Sequence, residues 1–369
     1  MSAQPHGSIP AVRLDNAEVW DALLPRLRDL VLSGRFIFGP ETEEFERAAA
    51  GAFGTTWALG TSSGTSAIML ALRAAPLEPG SRVGLPANTF YAVFEAVVQA
   101  GHRAVIVDHD EDYLLSPDAL DGVALDAVIP VHLYGLPADM TALMRLAEAN
   151  AWWVLEDCSQ GHGATVAGHP VGSMGHAGAF SAYPTKNLGA WGDAGFVVGS
   201  DPAMCAAIRS LRHHAQHRAN VHEDVGGTER LDNLQALVLT EKLRLLDTLV
   251  ERRRRVASWY HTALADLDLA LPGDRGDRRH AYHQFVVRVP DRDLVRERMA
   301  EREVETGIHY PTPIHLQPGA RDRIDLPRPP RRAEAWAPHL LSLPMYPGLT
   351  ESQVERVAAA LRSALAGRP

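Results

Sequence analysis

Between Thr56 and Ser200 the chain alternates short apolar runs with stretches whose apolar residues recur at i, i+3 and i+4. Runs too short for helices and too apolar to alternate with polar residues suit strands buried on both faces. Seven are read: "TWALGT", "RVGLPA", "AVIVD", "AVIPVHL", "WWVLED", "AGAFSA" and "GFVVGS". Among the early ones, "SGTSAIMLALRAA", "YAVFEAVVQAG" and "ADMTALMRLAEANA" carry the helical spacing. Pro79-Gly80 marks a turn before the second strand, and Gly101 ends the second helix. This alternation predicts an α/β fold, with a seven-stranded, mostly parallel sheet between helices.

After Leu231 the pattern changes. Residues 231–267 contain neither Pro nor Gly, which predicts one long or kinked helix leaving the sheet. Beyond it, "HAYHQFVVRV" alternates as a strand, while "RDLVRERMAER" and "ESQVERVAAALRSALA" read as helices. These elements predict a smaller C-terminal α+β domain. The expected division is a large domain over 1–250, including an N-terminal helical segment, and a small domain over 251–369.

The chain of 369 residues is 46% apolar, enough to bury one large core and a smaller second one. Its formal charge of −9 argues against a phosphate-backbone binder, so no nucleic-acid partner is expected. The basic run "ERRRR" at 251–255 reads as a solvated helix face, with an anion contact as the alternative. No apolar run approaches bilayer length, and the opening "MSAQPHGSIPAVRLD" lacks the n- and h-regions of a signal peptide. The expectation is a cytoplasmic protein with no membrane partner. Cys158 and Cys205 make no disulfide framework and read as small buried residues. The 17 histidines include no HExxH, so no metal is expected.

Of 36 basic residues only two are lysines, and one of them, Lys186, follows a strand in "SAYPTK". An arginine keeps its proton, whereas a lysine amine can lose it and attack a carbonyl. Ligands of open α/β sheets sit at the carboxyl ends of the strands. Three such ends carry polar residues. "ALGTSSGTSAIML" runs from strand to helix through Gly60, Ser62, Ser63, Gly64, Thr65 and Ser66, small residues at a helix N-terminus that suit a phosphate. "WWVLEDCSQ" ends on Asp157, and "AFSAYPTK" ends on Ser181 and Lys186. Each has an ordinary alternative: helix caps, a turn carboxylate, a surface charge.

Together a phosphate cradle, a carboxylate and an amine are the parts that pyridoxal phosphate needs. That cofactor draws electrons from an amine carbon best when its ring nitrogen is protonated. A carboxylate about 4 Å from the nitrogen contributes roughly 4 kcal/mol at an effective dielectric of about 20. Asp157 is placed to supply it, Lys186 to bind the aldehyde and then shuttle the proton, and Phe90 in "PANTFYA" to stack on the ring.

With "SSGTSAIMLALRA", "LPANTFYAVFEAV", "EDCSQGHGA", "SAYPTKNLGAWGDAGFVV" and "ERLDNLQALVLTEKL", nearly the whole chain resembles the DegT/StrS family of sugar aminotransferases, of the aspartate aminotransferase superfamily (fold type I). The resemblance implies pyridoxal 5'-phosphate, with Lys186 as its Schiff-base lysine and Asp157 as the partner of its ring nitrogen. It also implies Gln160 at the cofactor's 3′-hydroxyl, Phe90 on the ring, and Gly64, Thr65 and Ser181 on the phosphate, with a backbone amide from Ser66. Tyr183, His309, Tyr310 and His315 are implied on the substrate side. Members are homodimers with shared active sites, and an Asn of one subunit often reaches the other's phosphate; here Thr228 stands at that place, in "GGTERLDNLQ".

A subset of the family carries histidine for the lysine and dehydrates its substrate. Retention of Lys186 implies amino transfer. The segment "GIHYPTPIHLQPGARD" is similar to members that aminate C-3 of a nucleotide-linked keto sugar. The expected activity is transfer of an amino group from L-glutamate to such a sugar, with dTDP as carrier. Two alternatives stay open: a free keto sugar, sugar phosphate or keto-cyclitol as acceptor, or a cofactor-binding regulator or inactive partner.

Overall fold

The computed structural model describes residues 7–14 and 16–366. Its main sheet contains β1 (Trp57–Thr61), β2 (Arg82–Pro86), β3 (Arg103–Val107), β4 (Ala127–Val128), β5 (Trp153–Asp157), β6 (Ala177–Ser181), β7 (Gly195–Gly199) and β8 (Ile324–Asp325). They lie in the order β1-β7-β6-β5-β4-β2-β3-β8. β7 runs antiparallel to both its neighbours, and all the others are parallel. The seven strands read from the sequence are all present. The eighth, β8, pairs with β3 for only two residues in an Arg- and Pro-rich segment, too short to leave a periodic signal.

The "AVIPVHL" run ladders over Ala127–Val128 and then makes a single bridge from Val131 to Asp157. Pro130 has no N–H to give to the ladder. The predicted long helix breaks at Leu245 into Asn233–Arg244 and Leu246–Ala263. In "HAYHQFVVRV" only Phe285–Arg288 is strand, and Tyr282 just before it has a φ of +47°. Two N-terminal helices, Ala17–Ser33 and Pro40–Ala52, pack against Asn233–Arg244.

The apolar residues form a large core around the sheet and a second one around Val256, Tyr260, Phe285, Leu341, Val357 and Leu361. Ile9, from the opposite end of the chain, joins the second core, whereas Ile314, Ala320 and Ala333 return to the first. The arginine run is not simply a solvated face, because Arg253 is buried. Its guanidinium donates to the carbonyls of Tyr282, His283 and Met345 at 3.1–3.2 Å, since the helix that carries it passes between those segments. Among the described residues no helix is long and apolar enough to cross a membrane.

A buried ion pair ties helix Pro40–Ala52 to the sheet. Glu46 Oε1 accepts from Arg212 Nη1 at 2.5 Å and from the Gly60 N–H at 2.9 Å, while Arg212 Nη1 also donates to the Gly60 carbonyl at 2.7 Å. Glu46→Ala is expected to strand the Arg212 charge and to cost about 3–5 kcal/mol, measured as a lowered urea midpoint. Joint replacement of both residues by apolar ones should recover most of that loss.

Candidate active site

The chain order reverses where β4 and β2 lie side by side, and a cavity of about 440 Å³ opens there at the carboxyl ends of the strands. It is lined after β1 by Ser63, Gly64 and Thr65, after β2 by Thr89 and Phe90, after β5 by Asp157, Ser159 and Gln160, and after β6 by Ser181, Tyr183 and Lys186. His283, Gln284, His309 and Tyr310 line it from the C-terminal part of the chain. Eleven of the sequence-derived residues therefore share one space: Ser63, Gly64, Thr65, Phe90, Asp157, Gln160, Ser181, Tyr183, Lys186, His309 and Tyr310.

Gly60, Ser62, Ser66, Thr228 and His315 are not part of its lining. Ser66 gives its amide to Ser63 Oγ at 3.0 Å, because Ser63 caps the helix Gly64–Ala74, and its hydroxyl faces the Glu229 carboxylate. Thr228 is exposed, with Oγ1 3.3 Å from His214 Nε2. His315 has a buried side chain whose Nε2 lies 3.0 Å from Glu334 Oε1.

Gly64 is required by contact. A Cβ there would lie 2.5 Å from Ser181 Cβ and 2.9 Å from its Cα. The strand end bearing Ser181 can therefore press against the start of the helix. With Ser66 capped, the first two helical amides, of Gly64 and Thr65, have no acceptor within the helix.

Asp157 ends a fully buried strand, and its Oδ1 accepts the Ser159 N–H at 2.9 Å. Burial raises its pKa, an effect offset in part by Ser159 and by the Lys186 charge. Glu156, one residue earlier, faces the other side of the strand. Its Oε1 accepts the amides of Met174 and Gly175 at 2.8 and 2.7 Å, and its Oε2 those of Gly172 and the His132 ring at 2.9 and 3.0 Å. Burial alone would raise the Glu156 pKa, but His132 and these amides outweigh it and the net shift is downward. A satisfied carboxylate thus anchors the strand end on which Asp157 faces the cavity.

Desolvation lowers the Lys186 pKa to about 8, and the Asp157 charge opposes any further fall. The same burial, with the Lys186 charge added, lowers His309 to about 4 and pushes His283 well below its ordinary value. Both rings are therefore neutral near pH 7 and act as hydrogen-bonding groups. His309 Nδ1 lies 2.7 Å from Ser342 Oγ, leaving the other ring nitrogen for a ligand. Gln160 accepts the Tyr134 N–H at 2.7 Å and donates to the Tyr310 hydroxyl at 3.0 Å, which leaves one amide hydrogen free to donate. Phe90 is 56% exposed, with its ring 5.6 Å from that of Tyr310.

Thr89, Ser159, Thr185, Asp193, His283 and Gln284 also line the cavity, and the sequence alone assigns them no role. Ser159 and Thr185 stand inside motifs already quoted, so position past a strand end was an available signal. His283 and Gln284 lie in a segment whose only legible feature was its alternation.

Comparison with known proteins agrees along the whole chain. Residues 20–362 match the profile of the DegT/DnrJ/EryC1/StrS aminotransferase family. The chain is 38% identical over 366 residues to the UDP-N-acetyl-3-dehydro-alpha-D-glucosamine 3-aminotransferase of Acidithiobacillus ferrooxidans, covering 98% of this chain and 99% of that one. It is 39% identical to the dTDP-3-amino-3,4,6-trideoxy-alpha-D-glucose transaminase of Streptomyces venezuelae, covering 93% and 91%. The crystal structure of S. venezuelae DesV in complex with a ketimine intermediate superposes with a TM-score of 0.91 at 37% identity, covering 98% of this chain and 100% of that one.

Only a neutral amine attacks an electrophile. In protein stripped of bound small molecules, acetylation of Lys186 by acetic anhydride, followed by peptide mass spectrometry, should rise with pH and reach half its plateau near 8 instead of 10.5. Asp157→Asn removes the charge that favours the ammonium, so the midpoint should fall below that of the wild type. A midpoint near the ordinary lysine value would contradict a desolvated amine.

Proposed function

Because the chain belongs to the DegT/DnrJ/EryC1/StrS aminotransferase family, we propose that it moves an amino group from L-glutamate to C-3 of a nucleotide-linked keto sugar, with dTDP as the carrier. It is a pyridoxal-phosphate-dependent aminotransferase, as that family is. The observation that carries the reading is the gathering of Lys186, Asp157, Gln160, Phe90, His309 and Tyr310 around one cavity. UDP as carrier is the second reading, favoured by the Acidithiobacillus relative that matches 98% of the chain.

The residues present fit the cofactor. Where Gly64 meets Ser181, even a methyl group would collide, and beside them the Gly64 and Thr65 amides remain free for an anion. We assign Gly64, Thr65 and Ser181 to the phosphate, Phe90 to the ring face, Asp157 to the ring nitrogen and Gln160 to the ring hydroxyl. When bound, pyridoxal phosphate supplies an aldehyde that links to amines and a ring that withdraws electrons from the amine-bearing carbon. Lys186 Nζ would carry a proton between that carbon and the carbon that was the cofactor's aldehyde, a task suited to an amine with a pKa near 8, close to working pH. Asp157 holds the positive charge that electron withdrawal requires, while His309, Tyr310 and Tyr183 orient sugar hydroxyls and help exclude water.

We further propose a homodimer. Trp20, Leu24, Val31, Leu32, Phe36 and Ile37 leave an apolar stretch exposed, and Val225, three residues before Thr228, is 79% exposed. Thr228 at this surface is the group that would reach a second subunit's phosphate site, with one hydroxyl hydrogen bond in place of an amide. We place the enzyme in the cytoplasm, the compartment of sugar-nucleotide synthesis.

Lys186→Ala should abolish turnover and the visible absorbance of lysine-linked cofactor while leaving the protein folded; retained turnover would refute the assignment. Asp157→Ala should fold and lose at least about 100-fold in rate, since it removes roughly 3 kcal/mol of charge stabilisation. The purified enzyme, given glutamate and in turn a dTDP-3-keto sugar, a UDP-3-keto sugar, a free 3-keto sugar and an inosose, should turn over a nucleotide-linked acceptor. Activity confined to the free acceptors would overturn the substrate class.

A further inference from the structure

The second of the two lysines, Lys242, lies near the C-terminal end of helix Asn233–Arg244, and its Nζ donates to the carbonyl of Gly189 at 2.8 Å. Gly189 closes the turn that carries Lys186. A Cβ on it would lie 2.3 Å from the Pro184 carbonyl oxygen and 3.1 Å from that of Lys186, and the Lys186 N–H donates to the Tyr183 carbonyl at 2.8 Å. Gln235, seven residues before Lys242 and so on the same helix face, accepts the Trp191 N–H at 2.8 Å. One helix thus grips the chain just after Lys186 at two points.

The turn is not packed solid from beneath. On this side lies a second cavity of about 180 Å³, lined by Thr185, Lys186, Asn187, Gly189, Lys242 and Arg253 among others. Lys186 therefore sits in a thin wall between two spaces. Asn187 ties that wall to the carbonyls of Ala281 and His162 at 3.1 and 3.4 Å, and Lys242 reaches it from the helix.

We propose that Lys242 is a positioning residue for amino transfer: by holding the Gly189 carbonyl it keeps the turn of residues 184–189 in the shape that directs Lys186 toward the cavity of Asp157. The inference rests on Lys186 as the reactive amine, which Lys186→Ala tests separately.

The experiment compares holoenzymes carrying K242M, K242A and K242R with the wild type. It measures kcat, KM for the amino donor, the pH midpoint of the visible cofactor band, and thermal unfolding. K242M and K242A should lose about tenfold or more in kcat, as expected for a displaced reacting group, with KM changed less than about twofold. The band midpoint should move by about half a unit or more. K242R keeps an N–H donor and should return kcat to within about threefold of wild type. K242A guards against a misfolded K242M, since its truncation only enlarges an existing cavity. Lower thermal midpoints with unchanged kcat and band midpoint would overturn the proposal, as would equal losses in K242A and K242R. If Lys186→Ala is inactive while K242A is fully active, Lys186 keeps its role and only the role of Lys242 fails.

Discussion

An amine and a carboxylate, Lys186 and Asp157, must share a space that strips water from both. Desolvation works against each charge, raising the proton affinity of the carboxylate and lowering that of the amine, while their mutual attraction opposes both shifts. The balance leaves a lysine that titrates near working pH beside a group able to hold positive charge on a bound ring. A more open site would hold an ordinary ammonium with little capacity to exchange protons. A sealed site without Asp157 would favour a permanently neutral amine.

That balance needs rigid placement, and the scaffold supplies it by satisfying polar groups nearby. Glu156, alternating with Asp157 along β5, gathers three amides and a histidine and holds the strand end in place. At the neighbouring strand end, the contact between Gly64 and Ser181 sets the distance between the proposed phosphate cradle and the lysine turn. Neither feature touches the reacting carbon. Both determine where the groups that do can stand.

The side of the cavity proposed to meet the sugar comes from a different part of the chain. His283, Gln284, His309 and Tyr310 reach the cavity from the C-terminal part of the chain, and Arg253 links the segment of His283 to the long helical stretch through two carbonyls, those of Tyr282 and His283. The neutral histidines and the Gln160–Tyr310 pair make this side a hydrogen-bonding surface without net charge, suited to hydroxyl groups. The site is thus divided between a charged half on the sheet and a polar, uncharged half opposite in chemistry.

Seven strands, their intervening helices and the polar residues past their ends were legible because hydrophobic period and chain punctuation are local properties. Lys186 was legible because arginine nearly excludes lysine elsewhere, and Asp157 because an apolar strand ends on it. The two-residue strand Ile324–Asp325, the break at Leu245 and the burial of Arg253 left no local trace. Each results from packing against residues distant in sequence, which period and composition do not register. Tertiary structure alone decided that Thr228 and His315 would stand away from the cavity of their own chain, and that His283 and Gln284 would enter it. Which chemistry the chain can perform was written in residue types at strand ends; which side chains face the reacting space depended on distances across the fold, because hydrogen bonds and desolvation act over a few ångströms of space whatever the separation along the chain.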